Sequence, residues 1–181
     1  YYKSGGESGG AISLVAVGGY ARREVSLHSD IDLLFLHREP LTSLASTVAE
    51  RIQHWLWDAG VTVGSAVRSV AETIKLAKRE ITVATNVLDA RFLAGDRSLY
   101  HDLLDSIRVD LLKDPRRFIR GQLEAMESRH AKFGESVYLL QPNLKEGAGG
   151  LRDYHTAYWI ARATMPSMRG LEDLLHFGLL T

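Results

Sequence analysis

The stretch AISLVAVGGYARREVSLHSDIDLLFLH, residues 11–37, decides the fold of this chain. Ala11 to Val17 is a short apolar run with β-branched residues, which predicts a buried strand. Gly18-Gly19 ends that run, and Ile31 to His37 predicts a second strand. The stretch therefore predicts two strands joined by a glycine-containing turn, in which Tyr20 to Val25 forms a short helical segment.

Two aspartates, Asp30 and Asp32, lie where the second predicted strand begins. Residues i and i+2 of a strand point to the same face, so these carboxylates should project together while Ile31 and Leu33 point into the core. Neighbouring carboxylates repel each other, and a divalent cation would offset that repulsion. Oxygen ligands suit Mg²⁺ or Mn²⁺, and Mg²⁺ is commonly held by one or two carboxylates together with substrate phosphates. We therefore predict a catalytic metal site here; the alternative is a solvent-facing pair with no ligand.

Gly18 and Gly19 are predicted to bind phosphate, because glycine lacks a Cβ atom and lets backbone amides approach an anion closely. The helical turn that follows would point its unpaired N–H groups at the same anion. Arg22 is the cation predicted to contact a triphosphate, and Ser29 is predicted either to contact nucleotide or to orient Asp30, with a turn or capping role as its alternative. The glycine and aspartate pairs together predict chemistry on a nucleoside triphosphate.

The composition of this 181-residue chain restricts the classes of protein to which it can belong. The chain is 45% hydrophobic, which is enough for a core, and its 22 basic and 22 acidic residues cancel. A polynucleotide-binding protein usually carries a basic surface, so we expect no nucleic-acid partner. Every apolar run is far too short to span a bilayer, so we expect no membrane partner. The absence of cysteine excludes disulfides and thiolate metal sites and fits a reducing cytoplasm, where we expect the protein to act.

The sequence predicts a mixed first part followed by helices alone. Residues 1–10 are expected to form a flexible leader, residues 11–80 the core, and residues 81–181 a helical domain that is incomplete at its C-terminus. The core would hold a long helix at Thr42 to Asp58 and a third strand at Val61 to Val70. Later helices are predicted at Ala71 to Lys78, Ile81 to Leu93, Leu99 to Leu112, Pro115 to Phe133, Leu151 to Thr164 and from Gly170 onward, with a glycine-rich loop at residues 142–150.

Longer motifs give the chain a family resemblance. The pattern of an apolar residue, Gly18-Gly19, a spacer and Asp30-Ile31-Asp32-Leu33 resembles the polymerase-beta nucleotidyltransferase superfamily. More narrowly, the chain resembles the N-terminal part of the bifunctional uridylyltransferase/uridylyl-removing enzymes, which modify the PII nitrogen-signalling protein. The further matching motifs follow in order along the chain and are Trp57-Asp58, Val63 to Arg68, Thr82 to Asn86, Ala90 to Asp96 and Gln141 to Asp153.

The resemblance implies an α+β fold, in which the small mixed sheet of a polymerase-beta-like nucleotidyltransferase domain is followed by a helical domain. It also implies Mg²⁺ or Mn²⁺ at Asp30 and Asp32, UTP as the donor and a tyrosine of a PII-type signal protein as the acceptor, with release of pyrophosphate. Lys145 and Arg152, at the second glycine-rich loop, are then predicted to neutralise phosphate charge. The alternative for this loop is a surface linker in which Arg152 pairs with Asp153.

Two positions depart from the family pattern, which usually has glycine where this chain has Ala21 and Arg23. If either position needs a positive φ, the loop would shift; alternatively, Arg23 could neutralise triphosphate charge. Val61 to Val70 carries no acidic residue, so two aspartates would hold the metal, with Asp58 or Glu72 as alternatives for a third ligand. The departures at Ala21 and Arg23 favour an alternative function, a nucleotide-binding regulatory domain without transfer. A protein adenylyltransferase is a further alternative, because the sequence does not give the shape of the pocket that selects the base.

Overall fold

The fold of the chain divides into two compact units. We describe residues 11–26, 29–133, 143–165, 168 and 173 from a computed structural model. Contacts between Cα atoms end the first unit at Leu111 and begin the second at Leu112. The predicted boundary lies earlier, between residues 80 and 81, and it remains a prediction of domain organisation. The predicted leader at residues 1–10 lies outside the described residues, as does almost all of the helix predicted from Gly170.

The first unit contains a small mixed sheet of four strands in the order β3-β2-β1-β4. The strands are β1 (Ile12–Ala16), β2 (Ile31–His37), β3 (Val63–Ser69) and β4 (Arg91–Gly95). β1 pairs antiparallel with both β2 and β4, whereas β2 and β3 are parallel. The three predicted strands are confirmed, but the prediction of helix through Leu93 and of no later strand was wrong. β4 follows the preceding helix after a gap of two residues, so its few apolar residues extended the helical pattern.

Helices surround this sheet in the first unit. They are α1 (Gly18–Arg22), α2 (Ser43–Asp58), α3 (Val70–Ala77), α4 (Ile81–Leu88) and α5 (Arg97–Ser106), which continues as a π-helical turn at Ile107–Leu111. The Thr42 hydroxyl accepts a hydrogen bond from the Ala45 amide and so caps α2. Ser69 and Glu72 form a reciprocal capping box at the start of α3. The long helix predicted from Thr42 is therefore confirmed, with Thr42 as its cap.

The side chains of β2 alternate between the two faces of the sheet and so contribute to the core on both faces. Leu33 and Phe35 are buried on one face of the sheet, where they pack with Ala49 of α2. Ile31 is partly buried against the same cluster, as the alternation predicted. Asp32 therefore points to the opposite face, together with Leu34. This alternation places the candidate carboxylate away from the α2 layer.

The second unit contains two long helices among its described residues. They are α6 (Pro115–Phe133) and α7 (Leu151–Thr164), which pack against each other. Asp114 directly before Pro115 is typical of a helix start, and the structure confirms this interpretation, because the Asp114 carboxylate accepts a hydrogen bond from the Arg116 amide at 3.2 Å. The predicted glycine-rich loop is described from Asn143 to Gly150 as a series of turns. None of the helices in the described part of the chain is long and apolar enough to cross a membrane.

Candidate functional site

Asp30 and Asp32 lie at the beginning of β2 and influence each other electrostatically. Asp30 is exposed and directly precedes the strand, whereas Asp32 is partly buried within it. Burial raises the pKa of the Asp32 carboxyl, and the charge of Asp30 raises it further, while the guanidinium of Arg22 opposes the rise. The two carboxylates thus repel each other at one end of the sheet, and a bound cation would offset that repulsion.

The Asp32 carboxylate lies between Gly18 and Gly64, so close to both that a side chain at either position would crowd it. A Cβ atom on Gly18 would lie 3.0 Å from Oδ2 of Asp32, and one on Gly64 would lie 2.6 Å from Oδ1. Gly64 is the register partner of Asp32 on β3. Glycine at both positions therefore lets two backbone segments approach the carboxylate closely.

The turn between β1 and α1 brings backbone amides to the same place. The Val17 amide donates to the Asp32 carbonyl at 3.0 Å, which ties the start of α1 to β2. Gly18 has a φ of 57°, a value that glycine adopts without strain. Val17 is the N-cap residue, and no side chain caps the helix. The first amides of a helix lack intrahelical acceptors, so Gly18 and Gly19 present the kind of N–H groups that bind phosphate.

Arg22, predicted to contact a triphosphate, is held by two acidic residues. Its Nη1 lies 2.5 Å from Oδ2 of Asp89, and its Nε lies 2.8 Å from Oε2 of Glu24. Burial alone would lower the pKa of Arg22, but the contacts with Glu24 and Asp89 raise it. The Asp89 side chain is completely buried, so it forms an internal ion pair with Arg22. The guanidinium is thus held close enough to Asp32 to oppose part of the rise in the pKa of that carboxyl, which burial and Asp30 cause.

Ala21 and Arg23, the two positions at which the family usually has glycine, differ in backbone conformation. Arg23 has a φ of 65° and a ψ of 29°, so it occupies the left-handed conformation. Its amide donates to the Tyr20 carbonyl, and the amide of Glu24 donates to the Gly19 carbonyl, which is a Schellman ending for α1. Ala21, in contrast, is a buried helical residue without a positive φ. Only position 23 therefore has a backbone conformation that favours glycine.

The remaining predicted residues of the first unit have other partners. Ser29 lies in a turn, where its hydroxyl accepts from the Ser26 amide at 3.0 Å, so its alternative turn role has direct support. Glu72 belongs to the capping box of α3, and Asp58 is the last residue of α2. Throughout the described ranges, no group of three or more histidine and acidic side chains is arranged to hold a metal ion. Metal binding by Asp30 and Asp32 remains a prediction in which neither Asp58 nor Glu72 supplies a third ligand.

Lys145 and Arg152 belong to the second unit. Nε of Arg152 lies 3.5 Å from Oε1 of Glu146, so the alternative pairing of Arg152 with Asp153 was wrong. Asp153 instead accepts hydrogen bonds from the Gly149 amide at 2.7 Å and from two basic residues of α6, Arg129 and His130. Asp153 therefore fastens the glycine-rich loop to α6 and α7, while phosphate binding by Lys145 and Arg152 stays a prediction.

Sequence reasoning assigned no role to several residues around Gly18 and α1. Asn86 of α4 faces Gly18, because its Oδ1 lies 3.3 Å from where a Gly18 Cβ would be. Arg91 donates to the Ala21 carbonyl at 3.0 Å and to the Tyr20 carbonyl at 2.9 Å. Asn86 and Arg91 both lie in motifs that contributed to the family resemblance, which is the sequence signal that could have pointed to them. Their contacts with Gly18, Tyr20 and Ala21 are visible only in the folded structure.

Comparisons with known proteins identify relatives of this chain. The profile of the GlnD PII-uridylyltransferase family matches residues 117–181. A protein from Nitrobacter winogradskyi, named bifunctional uridylyltransferase/uridylyl-removing enzyme, is 45% identical over 85% of this chain and 17% of its own length. Proteins of the same name from Novosphingobium aromaticivorans and Rhodopseudomonas palustris are 37% and 41% identical, over 100% and 92% of this chain. These alignments cover 20% and 19% of the two relatives, so the chain spans about a fifth of the length of the curated relatives it matches.

Proposed function

Because the chain belongs to the family of bifunctional uridylyltransferase/uridylyl-removing enzymes, we propose that it is a nucleotidyltransferase carrying the family's uridylyl-transfer site. In this proposal UMP passes from UTP to a tyrosine hydroxyl of a PII-type signal protein. A bond forms between the tyrosine oxygen and the α-phosphorus, the bond from that phosphorus to the bridging oxygen breaks, the hydroxyl loses its proton and pyrophosphate leaves. The mixed sheet would be that of a polymerase-beta-like domain, followed by a helical domain.

The position of Asp32 carries this proposal. Its carboxylate lies in a slot between Gly18, the first residue of α1, and Gly64, and it is influenced by the charge of Asp30. A partly buried carboxylate with a raised pKa is costly for the fold, and such groups cluster at functional sites. The slot combines carboxylate oxygens with amide donors, which are the groups needed to hold a cation and a phosphate side by side.

The donor set fits Mg²⁺ or Mn²⁺, since Asp30 and Asp32 offer oxygens alone and their mutual repulsion favours a bound cation. Asp30 and Asp32 would hold the metal, which when bound would neutralise charge on the phosphates and favour attack on the α-phosphate. Gly18 and Gly19 would bind the β- and γ-phosphates through their amides. Lys145 and Arg152 are proposed as further phosphate contacts, as the family resemblance implies, and Ser29 as a nucleotide contact.

The test is uridylyl transfer by the intact protein with labelled UTP, Mg²⁺ and a PII-type protein. Asp30→Asn and Asp32→Asn are each expected to reduce transfer by at least about a thousandfold, the scale on which losing charge stabilisation at a reacting group lowers rates. Because the ionised Asp32 is disfavoured by the fold, Asp32→Asn should not lower the melting temperature in metal-free buffer. Asp105→Asn is the control, since it removes an exposed carboxylate of α5 that pairs with Arg108 on the surface.

Each outcome separates one function from another. Wild-type transfer rates in either aspartate variant would refute the assignment of Asp30 and Asp32. Binding of UTP without labelling of the protein acceptor would support a regulatory nucleotide-binding domain instead. Labelling from ATP and not from UTP would support a protein adenylyltransferase. A UTP-dependent label that disappears in both aspartate variants, and persists in the Asp105→Asn control, would support the proposal.

A further inference from the structure

Helix α1, which carries the proposed phosphate-binding glycines, is too short to be stable by itself. It has five residues, and isolated helices below about 12 residues are marginal in water. Its position must therefore come from contacts with the rest of the first unit. At its N-terminal end, the Val17 amide bonds to the Asp32 carbonyl. Its C-terminal end has two further anchors, Asp89 and Arg91.

Arg91 holds the C-terminal carbonyls of α1. Its Nε donates to the Ala21 carbonyl at 3.0 Å and its Nη2 to the Tyr20 carbonyl at 2.9 Å. The guanidinium carbon also lies 5.3 Å from the centroid of the Tyr20 ring, within cation–π range. Two donors in one rigid plane fix the direction of the helix end as well as its distance. Because Arg91 is the register partner of Ala16 in β1, this anchor is part of the sheet.

Asp89 holds the last residue of α1. Its carboxylate forms the 2.5 Å ion pair with Arg22, and the Asp89 side chain is fully buried while that of Arg22 is 11% exposed. Removing one partner of a buried pair leaves an uncompensated charge, so the pair resists separation. Asp89 directly follows α4, the helix whose Asn86 faces Gly18. The segment 89–91 therefore contacts α1 through two independent side chains.

We propose that Asp89 and Arg91 are positioning residues, which together orient α1 and so hold the backbone of Gly18 next to the Asp32 carboxylate, with the Gly18 and Gly19 amides at the start of the helix. This inference rests on the proposed function, because it assigns those amides to the phosphates of the donor nucleotide. Neither residue needs to touch the nucleotide. Their effect is transmitted through the direction of α1, and small displacements of binding groups reduce rates strongly.

The first test is independent of catalysis and uses hydrogen exchange on the intact protein without nucleotide. Arg91→Met should increase exchange of the hydrogen-bonded amides of Ala21, Arg23 and Glu24 by at least about tenfold, while amides of α2 keep their wild-type rates. Arg97→Met is the matched control. Arg97 is an exposed arginine of α5 that makes a cation–π contact with Phe92 of β4, the strand that also carries Arg91. Unchanged exchange in residues 17–24 of the Arg91 variant would overturn the proposal, whatever the protein catalyses.

The second test measures transfer kinetics in the same variants. Arg91→Met and Asp89→Asn should raise KM for UTP by about tenfold or more, with a smaller fall in kcat, because they disturb donor binding and leave Asp30 and Asp32 in place. Arg91→Lys keeps the charge but loses the planar pair of donors, so its KM for UTP should lie between those of the wild type and Arg91→Met. If Arg91→Met does not fold, Arg91→Lys and Asp89→Asn carry both tests. Wild-type KM in these variants, in a protein that transfers uridylyl groups, would refute the positioning role alone.

Discussion

Replacing Arg23 with glycine should stabilise this protein, whereas replacing Ala21 with glycine should destabilise it. Both positions lie at the end of α1, and the family resemblance associates glycine with both. Only Arg23 has a positive φ, of 65°, where an L side chain is strained. Ala21 is helical and buried, so it gains nothing from the freedom of glycine. Comparing Arg23→Gly with Ala21→Gly therefore tests whether backbone conformation, and not proximity to Gly18-Gly19, decides the effect of glycine on stability.

The magnitudes follow from the backbone angles and burial. A left-handed L residue costs roughly 1–2 kcal/mol, of which the greater freedom of unfolded glycine offsets roughly 0.5–1 kcal/mol. Arg23→Gly should therefore raise the free energy of unfolding by about 0.5–1 kcal/mol. Ala21→Gly loses helix propensity and a buried methyl group, which lowers that free energy by about 1–2 kcal/mol. In a protein of this size each kcal/mol changes the melting temperature by about 2–4 °C.

Calorimetry on the intact protein measures the melting temperature, and hydrogen exchange in residues 17–24 locates the change. Arg23→Ala is the control, because it removes the guanidinium but keeps a Cβ atom in the left-handed conformation. It should show none of the gain that Arg23→Gly shows. Equal stabilisation by Arg23→Ala and Arg23→Gly, or a loss of stability in Arg23→Gly, would show that the Arg23 side chain and not its φ controls stability at this position.

Two further changes test the slot and the second unit. Gly64→Ala places a Cβ atom 2.6 Å from Oδ1 of Asp32, so transfer should fall by at least about tenfold without a lower melting temperature, while Ser65→Ala on the same strand should leave transfer unchanged. Asp153→Asn should lower the melting temperature of the second unit at neutral pH. Burial alone would raise the pKa of Asp153, but the Gly149 amide and two basic side chains of α6 lower it below its ordinary 3.8. The carboxylate therefore stabilises the fold above pH 3.8 and stops doing so as the pH falls through its folded pKa, so scanning calorimetry should find the difference between wild type and variant shrinking below that pH.

Local sequence signals predicted most of the first unit because they act within one element. The β-branched run before Gly18 and the apolar run after Asp30 predicted β1 and β2, and the strand alternation placed Asp32 on the sheet face opposite Leu33. Apolar spacing predicted the helix at Thr42 to Asp58, and Asp114 followed by Pro115 predicted the start of α6; the structure adds that the Thr42 side chain caps α2. The strand Arg91–Gly95 was missed because it has five residues and follows a helix almost directly, so no period-2 pattern had room to develop.

The partners within the candidate site could not be predicted, because they are defined by tertiary contacts. Asp30, Asp32 and Gly18 were predicted from their own spacing. Gly64 was recognised only as part of a family motif, and its role depends on the parallel pairing of β3 with β2. Arg22 was predicted as a triphosphate contact, yet its main observed partner is Asp89, 67 residues away along the chain. A charged side chain near a glycine turn does not reveal which opposite charge the fold will bring to it.

An irregularity in the sheet shows why such partners escape sequence patterns. The register between β1 and β4 shifts between Leu14 and Val15, and Arg91 consequently stands opposite Ala16. Without that shift Phe92 would stand opposite Ala16, and the side chain of Arg91 would point to the other face of the sheet. In the observed register Arg91 reaches the Tyr20 ring and carbonyl, on the face that carries Leu33. The proposed anchoring of the glycine turn therefore depends on one extra residue in β4, which no periodicity in the sequence marks.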